Sequence, residues 1–331
     1  MLAVFAAAQS RDDPLSGLRI DDQPEPEARD GWTTITLKAA SLNHHDLWSL
    51  RGVGLPEDRL PMILGCDAAG LDEDGNEVIA HSIITDPSWH GDETLDPRRS
   101  LLSERYPGTF AERVAVPRWN LLPKPAELSF EEAACLPTAW LTAYRMLFSR
   151  GRVAPGSTIL VQGASGGVAT ALTVLGSTAG IRVWVTGRSE AKRARALELG
   201  ADQAFEPGAR LPERVDAVME TTGGATWAHS TRALKPGGTI VISGATTGDA
   251  SPAELSRIFF LQLSVVGSTM GTREELGRLI RLCVDKGVRP AISMTLPLSG
   301  AREGFETMLR GETSGKIVLT AETSDRGTPD S

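Results

Sequence analysis

The stretch Ser157-Thr-Ile-Leu-Val-Gln-Gly163-Ala-Ser165-Gly166-Gly167-Val168-Ala169 constrains this chain more than any other. Strand-forming residues run into a glycine turn, and small residues suited to a closely packed helix follow. Such a turn presents backbone N–H groups and a helix N-terminus to a pyrophosphate, as a dinucleotide fold does. A second strand, Ile181-Arg-Val-Trp-Val-Thr186, ends in Gly187-Arg188-Ser189. An NAD site places an Asp or Glu there for the adenine-ribose 2′-OH. This chain has Gly187 and Arg188 instead, with Lys192 one helical turn on. A cationic pocket without a carboxylate suits a 2′-phosphate, so NADPH is the cofactor expected. The competing reading makes Arg188 and Lys192 ordinary solvated charges at a helix start. Ser189 is the natural N-cap there, a role compatible with a phosphate contact.

The pattern beyond this turn repeats strand and helix. Strands are expected at 157–162, 181–186, 215–219, 238–242 and 263–267, with a helix from Ser189 to Leu199 stopped by Gly200. Alternation of this kind implies a parallel sheet covered on both faces, the α/β doubly wound arrangement. Glu274 to Asp285 reads as a further amphipathic helix, and Gly315-Lys316-Ile-Val-Leu319 as the last strand. The polar tail from Ala321 to Ser331 is expected to be disordered.

The first part of the chain differs. Met1 to Ala8, Trp32 to Lys38 and Phe110 to Val116 read as strands, the latter two by strict alternation. Asp86 to Gly108, rich in proline and charge, is expected as a long surface loop. Leu121 to Ala126 forms a hinge, followed by a helix with Ser129 as N-cap and Glu131 and Glu132 in its first turn. Leu136 to Tyr144 then forms a helix entered through Pro137.

The chain has 331 residues, enough for two domains. Its 34 basic residues against 42 acidic ones give a net charge of −8, which argues against nucleic acid or an anionic membrane as partner. No apolar run approaches the ~18–20 residues of a membrane span, and the N-terminus lacks the basic flank of a signal peptide. Three scattered cysteines, Cys66, Cys135 and Cys283, fit a reducing, cytoplasmic setting.

Four segments, in order, resemble the medium-chain dehydrogenase/reductase superfamily: Leu42-Asn43-His44-His45-Asp46-Leu47-Trp48, Pro61 to Gly70 with Gly65-Cys66-Asp67, Thr138 to Tyr144, and Gly163 to Ala169. Within it the chain is most similar to the zinc-free, quinone-oxidoreductase-like branch. The resemblance implies a GroES-like, mostly β catalytic domain (1–123 and 272–331) and an inserted Rossmann NADP-binding domain (124–271). It also implies an active site in the interdomain cleft and a homodimer formed through the strand Leu263 to Gly267.

The places where zinc-dependent relatives hold catalytic zinc carry Asn43, Cys66 and Thr138 here. Asn and Thr are poor zinc ligands, and a useful site needs three protein ligands. The 86–108 segment has none of the four cysteines of a structural zinc lobe. No zinc of either kind is therefore expected. An improvised set of Cys66, Asp67, His44 and His45 is the exception to test.

The resemblance assigns Asn43 to the nicotinamide or to a substrate carbonyl, against the reading of a buried turn residue. For Asp46, a catalytic role and a structural bond to nearby backbone stand level. Thr138 is carried over as a nicotinamide contact, against a locally satisfied hydroxyl. Of His44 and His45, adjacent on the chain, only one can face a site, and each reads as structural before catalytic. Ser243 and Gly244 are expected beside the nicotinamide, and Lys316 near the cofactor phosphates or else solvated at a sheet edge. Glu220 to Gly224 is expected as a supporting turn under the adenosine side.

The activity these readings imply is NADPH-dependent hydride transfer to a small-molecule quinone, enone or related carbonyl without zinc. The rivals are a zinc-type alcohol dehydrogenase with altered ligands and a non-catalytic NADPH-binding protein.

Overall fold

The computed structural model describes residues 1–249 and 253–322. The chain divides into two compact units. Among the described residues, one comprises 138–293 with 313–316, and the other 1–137, 294–312 and 317–322.

The 138–293 unit is built on a six-stranded sheet in the order Gln203–Phe205, Arg182–Thr186, Thr158–Val161, Val215–Glu220, Leu234–Ile242, Ser264–Gly267. All its pairings are parallel. In order of appearance the strands therefore lie 3-2-1-4-5-6, the doubly wound arrangement whose ligands sit at the carboxyl ends of the strands. The Thr158–Val161 strand is buried along its whole length, as a strand covered on both faces should be. Trp184 and Phe205 meet edge to face at 5.6 Å and pack with Leu160, Val218 and Ile240. The Gly167–Thr178 helix crosses close to the sheet. A Cβ on Gly176 would stand 2.8 Å from Val183 Cγ2, so this helix needs small residues where it approaches the strands.

The other unit centres on the ten-residue strand Trp32–Ser41. It pairs antiparallel with Ala68–Leu71, Arg113–Pro117 and Lys316–Thr320. Its inward residues Ile35 and Leu37 join Leu42, Leu64, Phe110 and Phe305 in the core. A second sheet pairs Leu2–Ala6 with Leu18–Asp22 and Met62–Ile63.

Three expectations change. The unit boundaries lie near 137/138 and 293/294 rather than 123/124 and 271/272. The Phe130–Ala134 helix stays with the β unit, where Ala134 O lies 3.0 Å from Ser41 Oγ. The Arg273–Asp285 helix stays with the parallel sheet: Leu276, Leu279 and Cys283 are buried there, and Glu275 meets Arg145 at 2.7 Å with both side chains under a tenth exposed. Amphipathic periodicity fixes that a helix packs, not what it packs on. Segment 86–108 is more than a surface loop. Ser100–Leu101 pairs with Ile83–Ile84, and buried Asp96 accepts from the amides of Asp86 and Arg98. Finally, residues 136–150 form a helix with wide π-type turns around a short α-helical segment.

No helix among the described residues is long and apolar enough to cross a membrane. Most of the tail expected to be disordered, 323–331, lies outside the described residues.

Candidate active site

The phosphate turn is built from the first strand of the parallel sheet. Gly163 leaves that strand at φ +98°, a backbone region that favours glycine, and its N–H donates to Thr186 Oγ1 at 3.2 Å. Gly166 then caps the Gly167–Thr178 helix without any side-chain hydrogen bond, and a Cβ added there would meet nothing within 4 Å. The first amides of a helix lack intrahelical partners. With no side chain capping them and open space beside Gly166, this helix end suits an anion. Ser165 and Val168 lie half-buried in the same turn.

A buried network braces the turn from below. Gln162 Oε1 accepts from Thr186 Oγ1 at 2.8 Å, and its amide bonds His229 Nδ1 and Ser230 Oγ at 3.0 and 2.9 Å. Ser230 donates in turn to Glu220, whose carboxylate also takes the amides of Thr222 and Gly223 and the hydroxyl of Thr226. The Glu220 turn thus fixes the loop after its strand. The sequence reading gave Glu220 to Gly224 a supporting role, and the structure shows the Glu220 carboxylate making the bonds that hold this turn.

Lys316 is brought to the turn. Gly315 N–H donates to Ser165 O at 2.8 Å, Lys316 is 2 % exposed, and its Cδ would stand 2.8 Å from a Cβ on Gly167. A solvated edge lysine is therefore excluded. Ala139 Cβ approaches the same point at 3.2 Å, so half-buried Thr138 lies in the helix beside the turn. Ser243 and Gly244 follow the fifth strand at the same sheet end, with Ser243 N–H donating to Glu220 O at 2.9 Å.

The adenosine side also takes shape. Gly187 follows the second strand, where a Cβ would press on Arg193 Cγ and Ala164 Cβ at 3.0 and 3.1 Å. Arg193 is committed to Gly187 O and Glu206. Ser189 caps the Glu190–Glu198 helix by accepting from Lys192 N–H at 3.4 Å. Arg188 is exposed and has no partner among the described residues. No carboxylate follows the strand until Glu190, the first helical residue.

The β unit holds a second cluster. Asp67, fully buried, accepts from Ser41 Oγ at 2.7 Å and Asn43 Nδ2 at 2.8 Å. Asn43 Nδ2 also reaches Ser41 O at 3.2 Å. Both hydrogens of that amide are thus committed, and the expectation that Asn43 grips a nicotinamide or carbonyl gives way to a bracing role. Asp46 is also fully buried. Its oxygens accept the N–H of Asn43 at 2.8 Å and of Gly65 at 3.0 Å, tying the start of the His44–Leu50 helix to the Gly65-Cys66 turn. Of its two readings, the geometry favours the structural one.

His44 is exposed, while His45 turns inward to Glu104 Oε1 at 3.1 Å. Burial pushes His45 down, but the Glu104 hydrogen bond and the fields of Asp46, Glu104 and Asp67 outweigh it and raise the imidazole above its ordinary value. Burial pushes Glu104 up, yet His45 and the Leu101 amide hold it below the usual carboxylate value. Sequence reasoning missed this pair because the partners lie 59 residues apart, and Glu104 sits in the segment read as a surface loop.

A unit with a parallel six-stranded sheet and an open phosphate turn, together with a β unit that holds a buried polar cluster, defines a dinucleotide-binding protein of the two-domain type. Comparison with known proteins gives the family. Residues 29–126 match the alcohol dehydrogenase GroES-like domain, and residues 167–285 match the zinc-binding dehydrogenase model. The crotonyl-CoA reductase of Streptomyces collinus is 25% identical over 98% of this chain and 86% of its own length. Among solved structures, an NAD-dependent alcohol dehydrogenase superposes with a TM-score of 0.89 at 34% identity, covering 97% of this chain and 100% of that one. The 2-octenoyl-CoA carboxylase reductase CinF from a Streptomyces species, solved with NADP and 2-octenoyl-CoA, gives 0.89 at 25% identity, covering 98% and 88%. This chain belongs to the medium-chain dehydrogenase/reductase superfamily, with a GroES-like domain and a Rossmann domain.

That superfamily raises the question of zinc. One ligand atom each from His45, Asp46 and Cys66 lies within 4.8 Å of the others, a grouping that shares His45 and Cys66 with the improvised set weighed from sequence and has Asp46 in place of Asp67 and His44. Asp46 does not fit a metal, because its oxygens already serve two buried backbone amides. Drawing it onto a cation would strip those donors of their partner, at about 1–3 kcal/mol each. Two ligands remain where a catalytic zinc needs three.

Proposed function

We propose that this protein is an NADPH-dependent reductase that delivers hydride to a carbon–carbon double bond conjugated to a carbonyl, such as an enoyl thioester or enone. The observation that carries the reading is the end of the Arg182–Thr186 strand: a crowded glycine, an exposed, unpaired Arg188 and no carboxylate before Glu190. A 2′-phosphate matches that arrangement, whereas a 2′-hydroxyl would lack its acceptor. The uncapped helix at Gly166 and Gly167 takes the pyrophosphate, with Ser165, Val168 and the Lys316 side chain closing on it. Gly187, Ser189 and Lys192 frame the adenosine end, while Ser243, Gly244 and Thr138 flank the nicotinamide. When bound, NADPH supplies the hydride.

The acceptor class is argued from the donor set of the β unit. Asp46, whose oxygens serve two buried amides, does not suit a metal, and a reductase that does not rely on one favours electron-poor acceptors. Similarity to crotonyl-CoA and 2-octenoyl-CoA reductases supports conjugated thioesters as the acceptors to assay first, with quinones as the second class. Asn43 and Asp46 act by holding the Gly65–Asp67 turn rather than by touching substrate.

We also infer a homodimer. The Ser264–Gly267 strand ends the sheet with Val265 43% exposed, and Leu255, Phe259 and Phe260 of the adjacent helix are each over 70% exposed. A second copy covering this edge would remove an apolar surface that a monomer leaves in water.

The deciding experiment titrates the protein with NADPH and NADH, followed by Trp184 fluorescence, then assays NADPH oxidation with crotonyl-CoA, 2-cyclohexenone and 1,4-benzoquinone. Tight NADPH, weak NADH and turnover of crotonyl-CoA are expected. NADH preference would discard the 2′-phosphate pocket, and tight NADPH binding without turnover would make the chain a non-catalytic binder.

A further inference from the structure

Resting on the cofactor reading above, we propose that Gln162 and Thr186 are positioning residues for the dinucleotide. A one-way hydrogen-bond relay anchored on Glu220 runs through them and sets the phosphate turn at Gly163. All of its members lie within the unit of the parallel sheet.

The direction of each bond follows from the anchor. The buried Glu220 carboxylate receives the amides of Thr222 and Gly223 and the hydroxyls of Thr226 and Ser230. A carboxylate that serves four donors only accepts. Ser230 therefore spends its one proton on Glu220, at 2.6 Å, and its oxygen is left to accept. The Gln162 atom 2.9 Å from that oxygen must then be the amide nitrogen, which fixes the way the amide faces. The second hydrogen of the same amide points to His229 Nδ1 at 3.0 Å. Nδ1 consequently carries no proton. The ring proton sits on Nε2, 2.9 Å from Ala209 O, which can only accept. Both nitrogens of the imidazole thus call for one neutral tautomer.

With its nitrogen committed, Gln162 presents Oε1 to Thr186. The Thr186 hydroxyl donates to it at 2.8 Å and has only lone pairs left for Gly163, whose N–H donates at 3.2 Å. Gln162 and Thr186 are both buried, which keeps water from competing for these bonds. Gly163 is the residue at which the chain leaves the Thr158–Val161 strand with φ +98°. Its bond to Thr186 fixes the peptide plane from which the turn to Gly166 and Gly167 starts.

Thr186 has a second place in the site. It ends the Arg182–Thr186 strand and is followed directly by Gly187 and Arg188. One hydroxyl thereby ties the start of the pyrophosphate turn to the strand end that carries the 2′-phosphate residues. A turn held in place before the cofactor arrives costs less to order on binding. Thr186→Val keeps the side-chain shape but leaves the Gly163 N–H and Gln162 Oε1 without these partners. The turn then populates other orientations, and affinity falls with the competent fraction. NADPH and NADH share the pyrophosphate, so both lose alike. Loss of Arg188 acts instead on the 2′-phosphate alone.

The test titrates the full chain with NADPH and NADH by calorimetry, for the parent, Thr186→Val and Thr186→Ser. Thr186→Val is expected to weaken both cofactors by the same factor, about 3–10-fold. Thr186→Ser, which restores the hydroxyl, is expected to recover most of that loss. A residue that only stabilised the fold would lower the melting temperature and leave the affinity of the folded protein unchanged. Nitrogen NMR of the parent at neutral pH reads the relay without disturbing it and needs no folded Thr186→Val. The His229 ring, assigned among the five histidines by its loss in His229→Asn, should carry a proton on Nε2 and none on Nδ1. A proton on Nδ1, a parent-like NADPH affinity in Thr186→Val, a loss confined to NADPH, or a Thr186→Ser as weak as Thr186→Val would each overturn the proposal. A parent protein that binds neither cofactor would sink the cofactor reading itself and the proposal with it, a failure distinguishable from these.

Discussion

Asp46→Asn tests how the β unit is held together. The substitution keeps side-chain volume and removes one acceptor and the charge. Asp46 is fully buried, and its two oxygens serve the amides of Asn43 and Gly65 at 2.8 and 3.0 Å. In the variant one of those amides faces an NH₂ group and loses its partner, at about 1–3 kcal/mol. The other keeps a neutral acceptor, weaker by about 1 kcal/mol than a charged one. Asparagine is cheaper to bury than a carboxylate, but this gain does not restore a missing acceptor to a buried amide. The balance is a destabilisation of about 2–4 kcal/mol, which for a domain of this size lowers the melting temperature by about 5–15 °C. Calorimetry of the full chain at neutral pH, with and without NADPH, reads the shift. The proposed NADPH site lies in the other unit, so the cofactor is not expected to restore the lost transition. A melting temperature equal to the parent's would show that the two amides do not depend on Asp46.

Three further outcomes are expected. Arg188→Ala should weaken NADPH binding by about 10–100-fold, the loss of one charge-assisted contact, and leave NADH affinity unchanged; equal losses for both cofactors in a parallel titration would remove Arg188 from the pocket. The His45–Glu104 pair should stabilise the fold in a defined pH window. The raised imidazole contributes below its unfolded value of 6.5, and that contribution is lost as pH climbs through the folded value. The depressed carboxylate contributes above its unfolded value of 4.5 and loses this as pH falls through the folded value. The melting-temperature difference between parent and Glu104→Gln should thus be largest between those two pH values, and a difference that grows from pH 6 to pH 8 would reverse the sign argued here. Metal analysis of protein purified without chelator should find zinc far below one per chain, with melting unchanged by EDTA; stoichiometric zinc whose removal lowers the melting temperature would refute the saturation argument for Asp46.

The cofactor unit was legible in the sequence because its signals are local. A buried strand, a glycine turn and a small-residue helix occupy 13 consecutive residues from Ser157 to Ala169, and the next strand end carries its own specificity residues. The parallel sheet followed from strand–helix alternation, although its strand order was not read and the short Gln203–Phe205 strand escaped notice. The β unit was less legible because its decisive bonds are distant in sequence. Ser41 meets Asp67 across 26 residues and His45 meets Glu104 across 59. No periodicity encodes such pairs. Asn43 shows the consequence: its family position suggested a ligand-facing amide, whereas Asp67 and Ser41 O take both its hydrogens. Lys316 shows the opposite case, in which an unremarkable lysine after a glycine becomes a buried neighbour of the phosphate turn.

The positions where zinc-dependent relatives hold their metal have not simply lost function in this chain. A metal supplies rigidity and an electrophile together. Here the rigidity comes from two carboxylates: Asp67 joins Ser41 to Asn43, and Asp46 joins the helix start to the Gly65 turn. Neither carboxylate can polarise a carbonyl, since each adds negative charge to the site. That charge also raises the neighbouring His45 imidazole above its ordinary value. On the proposed reading, a site braced by carboxylates in this way suits electron-poor acceptors rather than alcohols whose oxidation needs a stabilised alkoxide. Stoichiometric zinc bound through these positions, together with alcohol oxidation that is lost when the zinc is removed, would undo that reasoning at its root.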